Sequence, residues 1–316
     1  MRIQWIQRVD WRKVGIPLAF FGLCVIFTLS SDKFLTIRNL TNVARQISIL
    51  AFLSYGMTYV IVSGGIDISV GSAVSLISMV TGGMMVSKGN IPFGIMMGIF
   101  CGTFIGVMNG LLVSLIQLPP FIVTMGTGTI CAGLALLYAN GMPIVGLPQG
   151  FGVIGSGYLG PIPIPVIIAF FFFLVSAFIM RYTAYGRYVL AIGGNEEAAR
   201  LSGISTKRIK VIAYTLTGFL TGIGAVVLSS RIISGYPNLG LGMELQAIAA
   251  VVIGGGTLGG GYGTMTGTLF GVLMIGIIQN GLNILGVSSF VQMVVIGVII
   301  IASVTYDVYR KKKLAD

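Results

Sequence analysis

Gly194-Asn195-Glu196-Glu197-Ala198-Ala199-Arg200-Leu201-Ser202-Gly203-Ile204-Ser205-Thr206-Lys207-Arg208-Ile209 is the long charged insert in a chain that is otherwise nearly all apolar. Its local chemistry predicts a short helix. Asn195 is a good N-cap, because its side chain accepts from backbone N–H groups that have no partner in the first turn. Glu196 and Glu197 then sit at the positive end of the helix dipole. Gly203 suits the left-handed position just past the C-terminus. A helix over 196–202 is roughly 10 Å long at 1.5 Å per residue. That is the size of a peg held in another protein's socket. The same residues also describe a solvated loop whose caps only stop it fraying.

Working outward, the 316 residues are 55% hydrophobic and only 9% charged, with a mean hydropathy of +0.99. Soluble domains carry about 25% charged residues. The composition therefore indicates an all-α integral membrane protein. The net charge of +11 does not imply nucleic-acid binding, since there is no soluble domain to present a basic face. Cys24, Cys101 and Cys131 lie in apolar runs without paired spacing and read as packing residues. The chain has no histidine, the commonest metal ligand and general base, and no cofactor or metal site is expected.

About 20 apolar residues cross a bilayer as a helix. The runs at 14–30, 43–62, 68–86, 91–116, 120–139, 162–180, 211–230, 245–258, 262–285 and 287–306 make about ten spans. The first follows basic residues like a secretory signal but lacks a small-residue cleavage site, and reads as an uncleaved helix. The eighth is short and glycine-rich at its end, as a broken or re-entrant helix lined by protein would be. Positive charges test the count. An even number puts Arg2, Arg8, Arg12, Lys13, the 181–210 loop and Arg310 to Lys313 on one face, which collects 14 of the 19 Lys and Arg. Lys33, Arg38, Arg45, Lys88 and Arg231 fall on the other. Such a bias predicts that both termini and the charged loop are cytoplasmic. The whole chain, 1–316, is expected to form one membrane domain, with its cytoplasmic loop at about 182–209.

Glycines recur every four residues at Gly102, Gly106 and Gly110, and again from Gly255 to Gly271. Small residues at this spacing let helices approach closely in lipid, here as internal packing. Gly254-x-Gly256-x-x-Gly259 matches a dinucleotide fingerprint in form, but lacks the flanking soluble strand and the later acidic residue. The stretch from Ile61 to Ile68 resembles that from Val252 to Leu258: an apolar run broken by glycines and then resumed. This is either the trace of an internal repeat or chance.

Polar residues in or beside the spans are functional candidates, because hydrocarbon makes them costly. They are Asp67, Asn109, Glu244, Gln246, Asn280 and Asn283, with Gln279 beside them. Asn280 and Asn283 are three apart, on one helix face. Such amides either bond sugar hydroxyls or hold neighbouring helices together. Asp67 either lines a path or caps the third span as part of a glycine turn.

Four blocks carry a family resemblance: Ser63–Ser72 (SGGIDISVGS), Tyr185–Ile204 (YGRYVLAIGGNEEAARLSGI), Glu244–Gly263 (ELQAIAAVVIGGGTLGGGYG) and Asn280–Phe290 (NGLNILGVSSF). Together they resemble the permeases of bacterial ABC importers for ribose and other monosaccharides, over a likeness running from about residue 34 to about 307. The Gly65–Gly71 block has an isoleucine where a leucine is expected, a conservative change. The E-A-A-x-x-x-G spacing at Glu197–Gly203 resembles the loop by which such permeases meet their ATPase. The resemblance implies a homodimeric pore in the bacterial inner membrane, a cytoplasmic ABC ATPase subunit and a sugar-binding protein outside. It also implies that Asn195, Glu196, Glu197, Ala198, Ala199, Arg200 and Gly203 form the ATPase contact. The chain has no Walker A sequence, so ATP hydrolysis belongs to a partner and the permease is not an enzyme. An ion-gradient-driven transporter is the competing class. Such proteins place ionisable residues deep in the bundle, and Asp67 is the one acidic candidate near the interior.

Overall fold

The computed structural model describes residues 11–315. Arg2 and Arg8 of the charge bias, and the side chains of Arg12, Lys13 and Arg310 to Lys313, lie outside what is described. Each expected apolar run falls on a helix. In order these are α1 (Trp11–Ser30), α2 (Ile37–Val62), α3 (Val70–Lys88), α4 (Ile91–Ser114) and α5 (Pro120–Leu137), followed by the short α6 (Gly152–Ser156). The two-residue strands β1 (Tyr158–Leu159) and β2 (Ile162–Pro163) pair as a hairpin before α7 (Ile164–Tyr182). Then come α8 (Ala184–Gly194), α9 (Glu196–Leu201), α10 (Thr206–Ile232), α11 (Met243–Ile253), α12 (Met265–Ile284) and α13 (Ser289–Ala315). Seven of the described helices are long and apolar enough to cross a membrane. The apolar parts of α1 and α13 are shorter, and α11 has 11 residues.

Local chemistry sets the boundaries. The Thr36 side chain accepts from Asn39 N–H, Asn90 from Phe93 N–H and Thr264 from Gly267 N–H, each filling an otherwise empty bond of a first turn. Gly89 ends α3 in the left-handed region at φ 62°.

The core is built around α2, most of whose apolar length is buried. It packs on α7, α10, α11 and α12, while α1 leans on α12. The most extensive helix pairing is that of α4 with α10. A Cβ on Gly102 would stand 2.6 Å from Gly218 O, and one on Gly106 would stand 2.3 Å from Tyr214 O. The glycine pattern of the fourth span is thus consumed inside the chain. Gly267 and Gly271 do the same for α12 against Ala250 of α11 and Gly254 just past its end.

The eighth segment is a short helix, α11, entered through irregular backbone. After α10 the chain turns back and runs beside α3. Gly235 exchanges two backbone bonds with Ile144. Tyr236 N–H then donates to Ser78 Oγ and Gly240 N–H to Ser75 Oγ, each at 3.0 Å. Irregular backbone at this depth survives only when protein satisfies it, and the two buried serines do so. From there α11 rises about 16 Å, roughly half a bilayer.

Candidate functional site

Helix α9 stands at one end of the bundle, the end where α2 finishes. It is preceded by α8, which buries Gly186, Val189 and Ile192 against the bundle. Asn195 separates the two in an extended conformation, and its side chain accepts from Ala198 N–H at 2.9 Å. The other end closes with two nested bonds: Gly203 N–H to Arg200 O at 3.0 Å and Ile204 N–H to Ala199 O at 3.1 Å, with Gly203 at φ 83°. This is the double-bonded glycine cap of helix C-termini. Arg200 grips Glu197 with two bonds of 3.0 and 2.6 Å. Those bonds and the guanidinium charge hold the Glu197 carboxyl below its usual range. Glu196 pairs with Lys210 at the start of α10. Ala199 is buried, whereas Leu201 is 75% exposed. The helix therefore rests on one small residue and points its charged pair and one large apolar side chain outward. Leu201 was not singled out by spacing, since an isolated leucine carries no periodic signal.

The stem of this helix sits on bare backbone. A Cβ on Gly193 would lie 1.8 Å from Val62 O and 2.3 Å from Gly261 N. Gly261 N–H donates to Val62 O at 2.9 Å. A Cβ on Gly260 would come within 2.9 Å of both Gly193 Cα and Gly64 Cα. The turn after α2, the turn before α12 and the stem of α9 thus meet at a joint without side chains.

The buried polar candidates separate into distinct groups. Asp67 accepts from Ser69 N–H at 3.0 Å and Ser69 Oγ at 2.5 Å. Asn109 donates to Ser69 Oγ at 2.9 Å and lies 3.5 Å from Asp67. Asp67 and Asn109 are therefore brought together, with Ser69 between them, tying the turn before α3 to α4. Tyr214 Oη donates to Ile66 O in the same turn at 3.1 Å. Asn280 lies elsewhere: it exchanges two amide bonds, 2.9 and 2.8 Å, with Asn39 of α2. Asn283 is exposed near the end of α12. Glu244 is partly buried in the first turn of α11 against Gly71, with Oε2 buried and unpartnered. Gln246 follows it, also partly buried. Ser69, Tyr214 and Asn39 were missed, because their roles come from partners remote in sequence. Among the described residues no three of His, Cys, Asp or Glu are grouped as a metal site needs.

A sequence-family model described as "Branched-chain amino acid transport system / permease component" matches residues 39–304. The chain belongs to this permease family. The permease is 45% identical over 303 residues to the ribose import permease protein RbsC of Bacillus subtilis, covering 95% of this chain and 94% of that one. It is 39% identical over 294 residues to the ribose import permease protein RbsC of Escherichia coli K12, covering 92% of each. It is 33% identical over 299 residues to the L-arabinose ABC transporter permease protein AraH of Azospirillum brasilense, covering 95% of this chain and 88% of that one. No solved structure matches. The permease is an all-α, multi-pass membrane protein, and these relatives are permease subunits, not enzymes.

Proposed function

We propose that this permease is the membrane subunit of an ATP-driven importer that passes a monosaccharide, ribose before others, from an extracytoplasmic binding protein into the cytoplasm. The sugar reading is supported by the near-full-length likeness to ribose permeases. The observation that carries the ATP-driven reading is α9. It is a capped helix that rests on Ala199 and turns Glu197, Arg200 and Leu201 outward, with its stem on two glycine turns that end α2 and precede α12. A cytoplasmic ABC ATPase gripping Glu197, Ala198, Arg200 and Leu201 moves α9 when its own halves close. The joint at Gly193 passes that movement to the two turns as a shift between packed states. A second copy of the chain completes the pore, and the assembly lies in the bacterial inner membrane with both termini and α9 cytoplasmic. The whole chain works as one membrane domain. Asp67, Asn109, Glu244, Gln246, Asn280 and Asn283 are the polar residues that border or support the path. No nucleic acid or bound cofactor enters this scheme.

The test is reconstitution. Ribose uptake into proteoliposomes should require the binding protein, the ATPase subunit and ATP, and should ignore ionophores. Uptake by the permease alone that a protonophore abolishes overturns the proposal. Gly203→Pro addresses α9 directly, since proline is confined to negative φ and cannot take the position that Gly203 holds. The variant should insert at normal abundance yet lose at least tenfold in transport and in sugar-stimulated ATP hydrolysis. Unchanged values of both place the ATPase contact elsewhere.

A further inference from the structure

At the end of the bundle opposite α9, two features of α2 adjoin. The first is an apolar groove of about 340 Å³ between α1 and α7, floored by α2 and α12. The second is a basic recess beside the β1–β2 hairpin, lined by Arg38, Arg45 and Tyr158. Both lie on one stripe of α2: Ile37 and Thr41 line the recess, and Ala44, Ser48, Ala51 and Tyr55 line the groove. Residues at this three- and four-residue spacing share a helix face. The groove wall from Leu40 to Tyr55 is about 22 Å of helix rise, longer than one leaflet of a hydrocarbon core of roughly 30 Å.

The walls decide the occupant. The groove is lined by Phe20 and Cys24 of α1 and by Ala169 and Phe170 of α7. The Ser48 hydroxyl already donates to Ala44 O. A sugar, with hydroxyls at nearly every carbon, finds few partners there and leaves its polar groups unpaired. Phe170 and Leu35 at the edge are more than half exposed, so the groove opens to the outside of the bundle.

The recess above is positive and uncompensated. Neither Arg38 nor Arg45 has an acidic partner among the described residues. Arg45 Nη2 donates to Ser156 O at 3.0 Å, and its guanidinium lies 4.5 Å from the centre of the Tyr158 ring. Its Nε is buried with no acceptor. Arg231 is near enough for the two positive charges to repel. Arg38 is exposed and Arg45 half-buried, and guanidinium groups without a carboxylate partner suit a phosphate, whose oxygens accept from their N–H groups.

We propose that this stripe of α2 binds an anionic phospholipid, with one acyl chain in the groove between α1 and α7 and the phosphodiester held by Arg38 and Arg45. The proposal does not depend on the transported solute or on the ATPase. The apolar floor takes any acyl chain, and the arginines choose the charge of the headgroup.

The experiment uses the full-length permease, delipidated in detergent and supplied with phosphatidylglycerol or phosphatidylcholine. Native mass spectrometry counts the retained lipid. The wild type should retain phosphatidylglycerol at least tenfold better than phosphatidylcholine. Arg38→Gln with Arg45→Gln should erase that preference and leave a weak equal binding of both. Ala44→Phe, which fills the groove, should lose both. The arginine arm stands even if Ala44→Phe fails to accumulate, because Arg38 is exposed and Arg45 only half-buried. Glycerol 3-phosphate in tenfold excess over the lipid should not displace it. Equal retention of the two lipids by the wild type overturns the proposal. So does displacement by glycerol 3-phosphate, which marks a free-phosphate site. So does a double glutamine variant that keeps its lipid preference but no longer responds to binding protein, which assigns the arginines to a protein partner.

Discussion

Helices α2 and α11 end alike and then diverge. After α2, Gly64 N–H donates to Ile61 O and Gly65 N–H to Val60 O, both at 2.9 Å, with Gly64 at φ 84°. After α11, Gly255 N–H donates to Val252 O and Gly256 N–H to Val251 O, at 2.9 and 2.8 Å, with Gly255 at φ 87°. The register is the one in which the two stretches of sequence resemble each other. Beyond these caps the two stretches differ. The first turn continues into Asp67 and Ser69, which bond across to Asn109, while Tyr214 holds Ile66. The second continues through Thr257 to Gly261, and Thr257 Oγ1 bonds back to Gly260 O at 2.6 Å. One turn is fastened to other helices by side chains. The other is folded on itself and reaches the first through main chain, from Gly261 N–H to Val62 O. One cap can therefore lead into a turn fastened by side chains or into one joined through main chain, depending on the five residues after it.

The largest expected effect comes from the point where both turns touch. Gly193→Val drives a side chain into Val62 O and Gly261 N. It should cost about 3 kcal/mol and sharply lower membrane abundance, measured by quantitative immunoblot. Near-normal abundance breaks the idea of a tight joint. Next is Asp67→Ala, which strips the first turn of its carboxylate and strands the Ser69 N–H and hydroxyl donors. A loss of about 2 kcal/mol is expected, read as thermal stability in detergent. Gly64→Ala and Gly255→Ala compare the caps themselves. Each added methyl has no neighbour closer than 3.5 Å, so the cost is the left-handed backbone alone, about 1–2 kcal/mol. The two should agree; a large difference means the caps are not equivalent. Thr257→Val is the smallest, about 0.6 kcal/mol for one bond in a membrane protein. A loss as large as that of Asp67→Ala makes the second turn as rigid as the first.

Apolar runs separated by polar breaks made most of the helices legible, because their length must match the bilayer. The caps of α9 were legible too, since Asn195 and Gly203 act on neighbours a few residues away. The shortness of the eighth run was visible, but the return of residues 233–242 along α3 was not. Its bonds go to Ser75 and Ser78, over 150 residues distant. Helix α8 escaped notice because its 11 residues are too few to span and it follows α7 after a single residue, Thr183. The partner of Asn280 was not legible, because a lone amide gives no hint that Asn39 stands opposite it. The joint at Gly193 was hidden most deeply. Glycine has no side chain with which to mark a face, so three turns of glycine can meet without leaving a periodic trace.

That joint has a kinetic consequence. Relative movement of packed surfaces usually requires side chains to leave one rotamer and settle in another, and ordering them costs entropy. Gly64, Gly193, Gly260 and Gly261 have no rotamers, so sliding among them carries none of that cost. In the movement proposed for α9, the backbone bond that crosses the joint is the one from Gly261 to Val62. Dyes and spin labels attached to side chains are blind to such a step, and any label at those positions blocks it. Hydrogen exchange at the Gly261 amide reports it directly, quickening each time the turn lets go.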